Sequence, residues 1–216
     1  MTGLMKMTKN EKREIISKYL DELFPNPKCE LIYHNDYELL IAIVLSAQTT
    51  DKRVNMVTPI LFSKYPTLKK LSEAPIDSLE EILKPIGSFR KKAIYVKDIA
   101  YNLATKYQGV VPTDREKLEK LKGVGRKTIN VFLSEYYNYP AIAVDTHVER
   151  ISKRLRIASK KATVLEVEEK LQKFFPKDEW AKRHLQLVLF GRYYCKAVKH
   201  DCSSCPLKEL CTDYKN

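Results

Sequence analysis

The 216-residue sequence contains no stretch approaching the roughly 20 uncharged apolar residues that a membrane span needs. Its N-terminus lacks the apolar region and cleavage site of a secretory signal, so a cytoplasmic location and no membrane partner are expected. Cysteine is almost absent before residue 195. Cys29 stands alone there, and four of the five cysteines crowd into residues 195–211, which argues against a disulfide framework with pairs distributed along the chain. No repeat of solenoid period and no low-complexity tract occurs. Acidic residues are in deficit, 27 against 39 basic, leaving a net charge of +12. A field of that sign attracts a polyanion, which makes nucleic acid the first partner to consider. A lysine-rich surface that only keeps the protein in solution accounts for the charge equally well.

Alternating apolar and polar residues, the mark of a half-buried strand, are also missing. Apolar residues recur at helical spacing instead, with Ser, Thr or Asp where helix caps belong, so the chain reads as all-α. Thr8 with Glu11, Thr113 with Glu116 and Thr163 with Glu166 match the capping box, in which two side chains satisfy the unpaired amides of a helix start. The Pro25-Asn26-Pro27 break separates a first amphipathic helix from one over 36–47, apolar on most sides and therefore expected to be central. Further helices are predicted from Asp51 to about Lys64, Ile76 to Leu83 and Phe89 to Tyr107, and from near Asp145, Val164 and Asp178.

Cys195, Cys202, Cys205 and Cys211 form the pattern C-x6-C-x2-C-x5-C. Such short loops let four thiolates converge on one centre without a large core beneath them. Zinc competes for that centre, but structural zinc commonly uses two C-x2-C knuckles, and only one pair here is so spaced; a [4Fe–4S] cluster is favoured. Cys29 reads as a packing residue. Lys196 and Lys199 lie in the first cysteine loop, where a cluster would hold them in shape for phosphate contact.

Residues Leu118 to Phe132, LEKLKGVGRKTINVF, place Gly123 and Gly125 between a capped helix and a second helix that opens near Arg126. Glycines permit close approach of another backbone, and amides at a helix N-terminus point outward with the positive end of the dipole. Together they make a site for one DNA phosphate, with Gly123, Gly125 and Arg126 as the contacts. Alone, a G-x-G between helices is more often an ordinary turn; the positive charge tips the reading to DNA.

Lys127 sits in the first turn of that second helix, where most lysines are simply solvated. At neutral pH only about one free lysine amine in two thousand is unprotonated, so a nucleophilic lysine needs help in shedding its proton. A helix N-terminus and a neighbouring arginine both favour the neutral amine. A carboxylate favours the charged form, so Asp145 reads as a stabiliser or proton acceptor rather than an activator. Asp145 is also the expected N-cap of DTHVERISKRL. A carboxylate at a helix start is well placed to balance positive charge growing on a sugar as its base departs. Beyond it, Arg150, Lys153 and Arg154 share one helical face and suit either a phosphate strand or plain solvent.

LKGVGRKTINVFL, AIAVDTHVERI, the upstream LLIAIVLSAQTTD and the cysteine tail together resemble, in order and over nearly the whole chain, the endonuclease III family of the helix-hairpin-helix glycosylase superfamily. The resemblance implies two helical domains flanking a DNA-binding cleft. One, residues 30–140, is a six-helix domain with the hairpin; the other joins 1–29 to 141–216 and carries the [4Fe–4S] cluster loop. It implies a monomer acting on damaged double-stranded DNA, with oxidised or ring-damaged pyrimidines as substrates. Lys127 would attack C1′ of a flipped nucleotide and form a Schiff base, β-elimination would nick the strand, and Asp145 would assist. Gln48 looks like the residue that fills the gap left by the flipped base. Lys127 separates the chain from relatives that only remove a base; mismatch-specific uracil or thymine glycosylase, adenine glycosylase and a non-catalytic iron–sulfur DNA-binding module are the alternatives. Two departures stand out. Lys122 replaces the proline usual before the hairpin's G-x-G, and Ser88 stands where relatives carry a bulky wedge, leaving Ile86 or Phe89 to take that part.

Overall fold

The computed structural model describes residues 7–198 and 201–214, and every regular element among them is helical. The chain divides into two compact units. One runs from Glu30 to Tyr137; the other gathers the residues up to Cys29 with those from Asn138 onward.

The 30–137 unit holds α2 (Asp36–Leu45), α3 (Asp51–Lys64), α4 (Leu68–Glu73), α5 (Ile76–Leu83), α6 (Phe89–Lys106), α7 (Arg115–Glu119) and α8 (Arg126–Tyr137). The Asn35 side chain caps α2 by accepting from the Glu38 amide at 3.0 Å. The seven residues that close α2, Leu39–Leu45, are all buried, so this helix forms the middle of the unit and packs on α3, α6 and α8. A fully buried leucine such as Leu40 is worth about 2–5 kcal/mol against alanine. Helix α6 buries Ala93, Val96, Ile99, Ala100 and Leu103 at helical spacing, and one lysine, Lys92, lies on the same buried stripe.

Two local features differ from expectation. Helix α4, six residues capped by Thr67 and packed on α6 through Leu68 and Leu71, is an added element. The Thr113–Glu116 capping box does not form: Asp114 is the cap of α7 and accepts from the Lys117 amide at 2.9 Å. Neighbouring cap candidates compete for one helix start, and the carboxylate of Asp114 takes it.

In the other unit are α1 (Lys9–Leu23), α9 (Thr146–Arg154), α10 (Val164–Phe174) and α11 (Trp180–Leu189). A π-helical turn, Phe190–Tyr194, continues α11 toward the cysteines. Here the Thr8–Glu11 and Thr163–Glu166 capping boxes both form. Ile16 and Leu20 of α1 join Val148, Ile151, Leu171, Leu187 and Phe190 in one core. Beside that core Arg183, only 3% exposed, donates to both carboxylate oxygens of Asp21 (2.8 and 3.0 Å) and to Glu179 (2.7 Å), fastening α1 to α11. Burial pushes the Asp21 carboxyl up, but hydrogen bonds from Arg183, Lys182 and Gln186 outweigh it and hold the group well below the ordinary carboxylate range. Among the described residues no helix is long and apolar enough to cross a membrane.

Candidate functional site

The hairpin between α7 and α8 is fastened from several sides. Leu118, Leu121, Val124 and Ile129 bury their side chains, and the Val124 amide closes the turn on the Leu121 carbonyl at 3.1 Å. Arg115 on α7 donates to Asn130 on α8 at 2.7 Å. Gly123 has φ +80°, and a Cβ there would stand 2.4 Å from the Tyr95 ring of α6, so no other residue fits. Gly125 is different: its φ is not positive and a Cβ would meet nothing within 4 Å. Its missing side chain therefore leaves open space in front of the α8 amides. Lys122 uses a group that proline lacks. Its N–H donates to Asp98 Oδ2 at 3.2 Å, and its ammonium reaches Asp98 Oδ1 at 3.2 Å, so the departure adds a tie between hairpin and α6.

Arg126 and Lys127 are exposed in the first turn of α8, as are both glycines. Gln48 is exposed in the turn between α2 and α3 and has φ +54°, rare for a residue with a side chain. Ser88 is exposed as well, with φ +56° and no side-chain cap bond to α6. Ile86 is not a wedge. It is 2% exposed and fills the core, because an aliphatic side chain next to the α6 start gains more by burial than by projecting. Phe89 is half-buried beneath the Arg90 guanidinium, 4.8 Å from its ring centre. One contributor that sequence reasoning missed is Lys92, whose ammonium grips the residues on either side of Gln48.

Asp145 lies in the other unit, at the end of the buried segment Ala141–Val144. It caps α9: Oδ1 accepts from the Val148 amide at 2.8 Å, while Oδ2 has no partner among the described residues. One oxygen thus holds the start of α9. Arg150, Lys153 and Arg154 do not form a phosphate-tracking face. Arg150 donates to the carbonyls of Gly191 (2.6 Å) and Cys195 (3.0 Å), and Lys153 pairs with Glu149 at 2.6 Å. Arg154 is 8% exposed and donates to Cys195 Sγ (3.2 Å), the Lys196 carbonyl (2.7 Å) and Asp213 (2.7 Å). Loop carbonyls and a thiol, poor in donors of their own, draw these guanidiniums inward. Gly191 admits the contact, since a Cβ there would stand 2.8 Å from His147.

Cys195, Cys202, Cys205 and Cys211 line a single cavity of about 240 Å³ together with Tyr19, Arg154, Phe190 and Leu207. Burial pushes the Cys205 thiol up, and Cys195, Cys202 and Cys211 add to the effect, as thiols gathered round one space must. Among the described residues no three His, Cys, Asp or Glu side chains group closely enough to hold a single metal ion. Lys196 is exposed, with only its backbone tied to Arg154; Lys199 lies outside the described residues, and Cys29 is not among the cavity's lining.

Residues 41–177 match the HhH-GPD superfamily of base excision DNA repair proteins. Endonuclease III of Bacillus subtilis strain 168 is 46% identical over 194 residues, which cover 90% of this chain and 89% of that protein. The solved structure of a trapped covalent intermediate between an endonuclease III and DNA, an estranged-adenine complex, superposes with a TM-score of 0.90 at 48% identity, covering 95% of this chain and 96% of that one. A thermostable thymine-DNA glycosylase shares the fold, with a TM-score of 0.83 over 95% and 97% of the two chains, but only 23% identity. Matched from end to end at such identity, and built round a hairpin that only glycine can close, the chain belongs to the endonuclease III family, DNA glycosylases with AP lyase activity within the HhH-GPD superfamily.

Proposed function

We propose that this protein removes oxidised or ring-damaged pyrimidines from duplex DNA and nicks the strand through a covalent intermediate on Lys127. The observation that carries the reading is the exposed Lys127 in the first turn of α8, two residues after Gly125, whose missing side chain leaves the amides there open to a phosphate. The trapped complex of an endonuclease III relative with DNA supports a covalent step.

The neutral Lys127 amine attacks C1′ of a nucleotide turned out of the duplex. An N–C1′ bond forms, the glycosidic bond breaks, and the base leaves with a proton. Ring opening gives a Schiff base, which makes the C2′ hydrogen acidic. Its loss to a base expels the 3′ phosphate, and water then releases the sugar from the lysine. The free Oδ2 of Asp145 balances positive charge on the sugar and accepts a proton, while Oδ1 keeps α9 capped. Gly123, Gly125 and Arg126 bind a backbone phosphate, Gln48 fills the gap left by the flipped base, and Lys196 and Lys199 contact phosphates beside the cysteine loop.

Cys195, Cys202, Cys205 and Cys211 hold a [4Fe–4S] cluster in this reading, supported by their shared cavity and their spacing. The cluster would supply thiolate–iron bonds that fix the loop's shape. The Glu30–Tyr137 unit corresponds to the hairpin domain and the remainder to the cluster domain, and the protein acts as a cytoplasmic monomer. Borohydride reduction with a duplex carrying one oxidised pyrimidine is expected to trap a protein–DNA adduct. An equal adduct yield from Lys127→Ala would refute the assignment, and a panel of single-lesion duplexes, mismatched uracil, thymine and adenine included, defines the substrate.

A further inference from the structure

Gln48 and Ser88 are both non-glycine residues in the left-handed region, at φ +54° and +56°. Such a backbone is strained for a residue with a side chain and persists only where its surroundings impose it. One residue reaches both turns, the first through its side chain and the second through its backbone. The Lys92 ammonium donates to the Ala47 carbonyl and to Thr49 Oγ1, each at 2.8 Å, and so brackets Gln48 on both sides. The Lys92 backbone N–H donates to the Ser88 carbonyl at 3.0 Å. Gly87 lies between the turns: a Cβ there would sit 3.9 Å from both the Gln48 carbonyl and Thr49 Oγ1.

Lys92 is 4% exposed, and burial, with no carboxylate paired to it among the described residues, lowers the pKa of its amine. A methionine would fill the same space without the penalty of an unpaired buried charge. The geometry says what the charge does instead. Its directional hydrogen bonds reach from α6 to the turn between α2 and α3.

We propose that Lys92 is a positioning residue for lesion recognition: it locks the Gln48 turn to the Ser88 turn as one edge, so that Gln48 meets DNA already in the backbone conformation it uses there. The proposal rests on the reading of Gln48 as the residue that fills the gap of the flipped base. Prior rigidity of this kind raises affinity by removing the cost of ordering the turn on binding.

The test measures binding of the full chain to a duplex with one tetrahydrofuran abasic site and to the undamaged duplex, so that no chemistry at Lys127 enters. Lys92→Met is expected to lower the preference for the damaged duplex about tenfold while affinity for undamaged DNA stays within about twofold. Amide exchange at residues 47–50 in the free protein is expected to rise, and Gln48→Ala is expected to lose as much preference as Lys92→Met, with no further loss in the double variant. Thr49→Val removes one acceptor at similar volume and serves if Lys92→Met fails to fold; about a threefold loss is expected. Unchanged exchange in Lys92→Met, or losses that multiply in the double variant, would overturn the proposal. If Gln48→Ala keeps full preference, the Gln48 reading falls and takes the proposal with it; if Gln48→Ala loses preference and Lys92→Met does not, the proposal alone falls.

Discussion

Asp145 caps α9 through one oxygen, and the proposed role of its charge in the reaction can be separated from that cap experimentally. Asparagine keeps an oxygen for the Val148 amide but brings no negative charge. Asp145→Asn is therefore expected to leave the thermal midpoint nearly unchanged and to slow single-turnover base release at least about 100-fold. Asp145→Ala is expected to lose a similar rate and, in addition, about 1 kcal/mol of stability. Calorimetry beside the kinetic assay checks both. The cap at Asp145 was legible because an N-cap is a local match between a side chain and an amide three residues on. Arg154 and Lys92 were not. A charged helical face looks the same in sequence whether it meets water or loop carbonyls, and the acceptors of Lys92 lie more than 40 residues upstream. Even so, Lys92 left one trace, as a lysine in register with Val96, Ile99 and Leu103 on an otherwise apolar stripe.

Among elements, the hairpin offers the clearest contrast, because its two glycines are there for different reasons. Gly123→Ala forces a Cβ into Tyr95 at a positive φ and is expected to cost stability by about 2 kcal/mol or more, weakening DNA binding as a secondary effect. Gly125→Ala meets nothing in the protein, so the fold is expected to hold its midpoint or gain slightly, while affinity for DNA falls about tenfold through obstruction of the phosphate. Urea denaturation and fluorescence anisotropy distinguish the two patterns. The motif itself was readable, since two capped or glycine-bounded helices announce themselves locally. What escaped was whatever depends on competition or packing: Asp114 displacing Thr113 as a cap, α4 stabilised by α6 beneath it, and the π-helical turn before Cys195, which has no sequence period of its own.

For the whole molecule the governing quantity is charge. With a net +12, association with duplex DNA is expected to weaken about 10- to 1,000-fold between 50 and 200 mM salt, as a handful of phosphate contacts release their counterions. Titration at several salt concentrations gives the slope, and a flat response would contradict binding through the phosphate backbone. Composition alone carried this expectation, as hydrophobic spacing carried the all-α class. Neither carried anything about the return of α1 to the later half of the chain, because the partners that fasten it, Arg183 and Gln186, lie more than 160 residues from Asp21 and Leu20. That return has a consequence for biosynthesis. The 30–137 unit is continuous and can acquire its structure while the ribosome is still translating α9, α10 and α11. Helix α1, made earlier, must keep its apolar face unsatisfied until α11 has emerged, so an early helix is among the last to find its place.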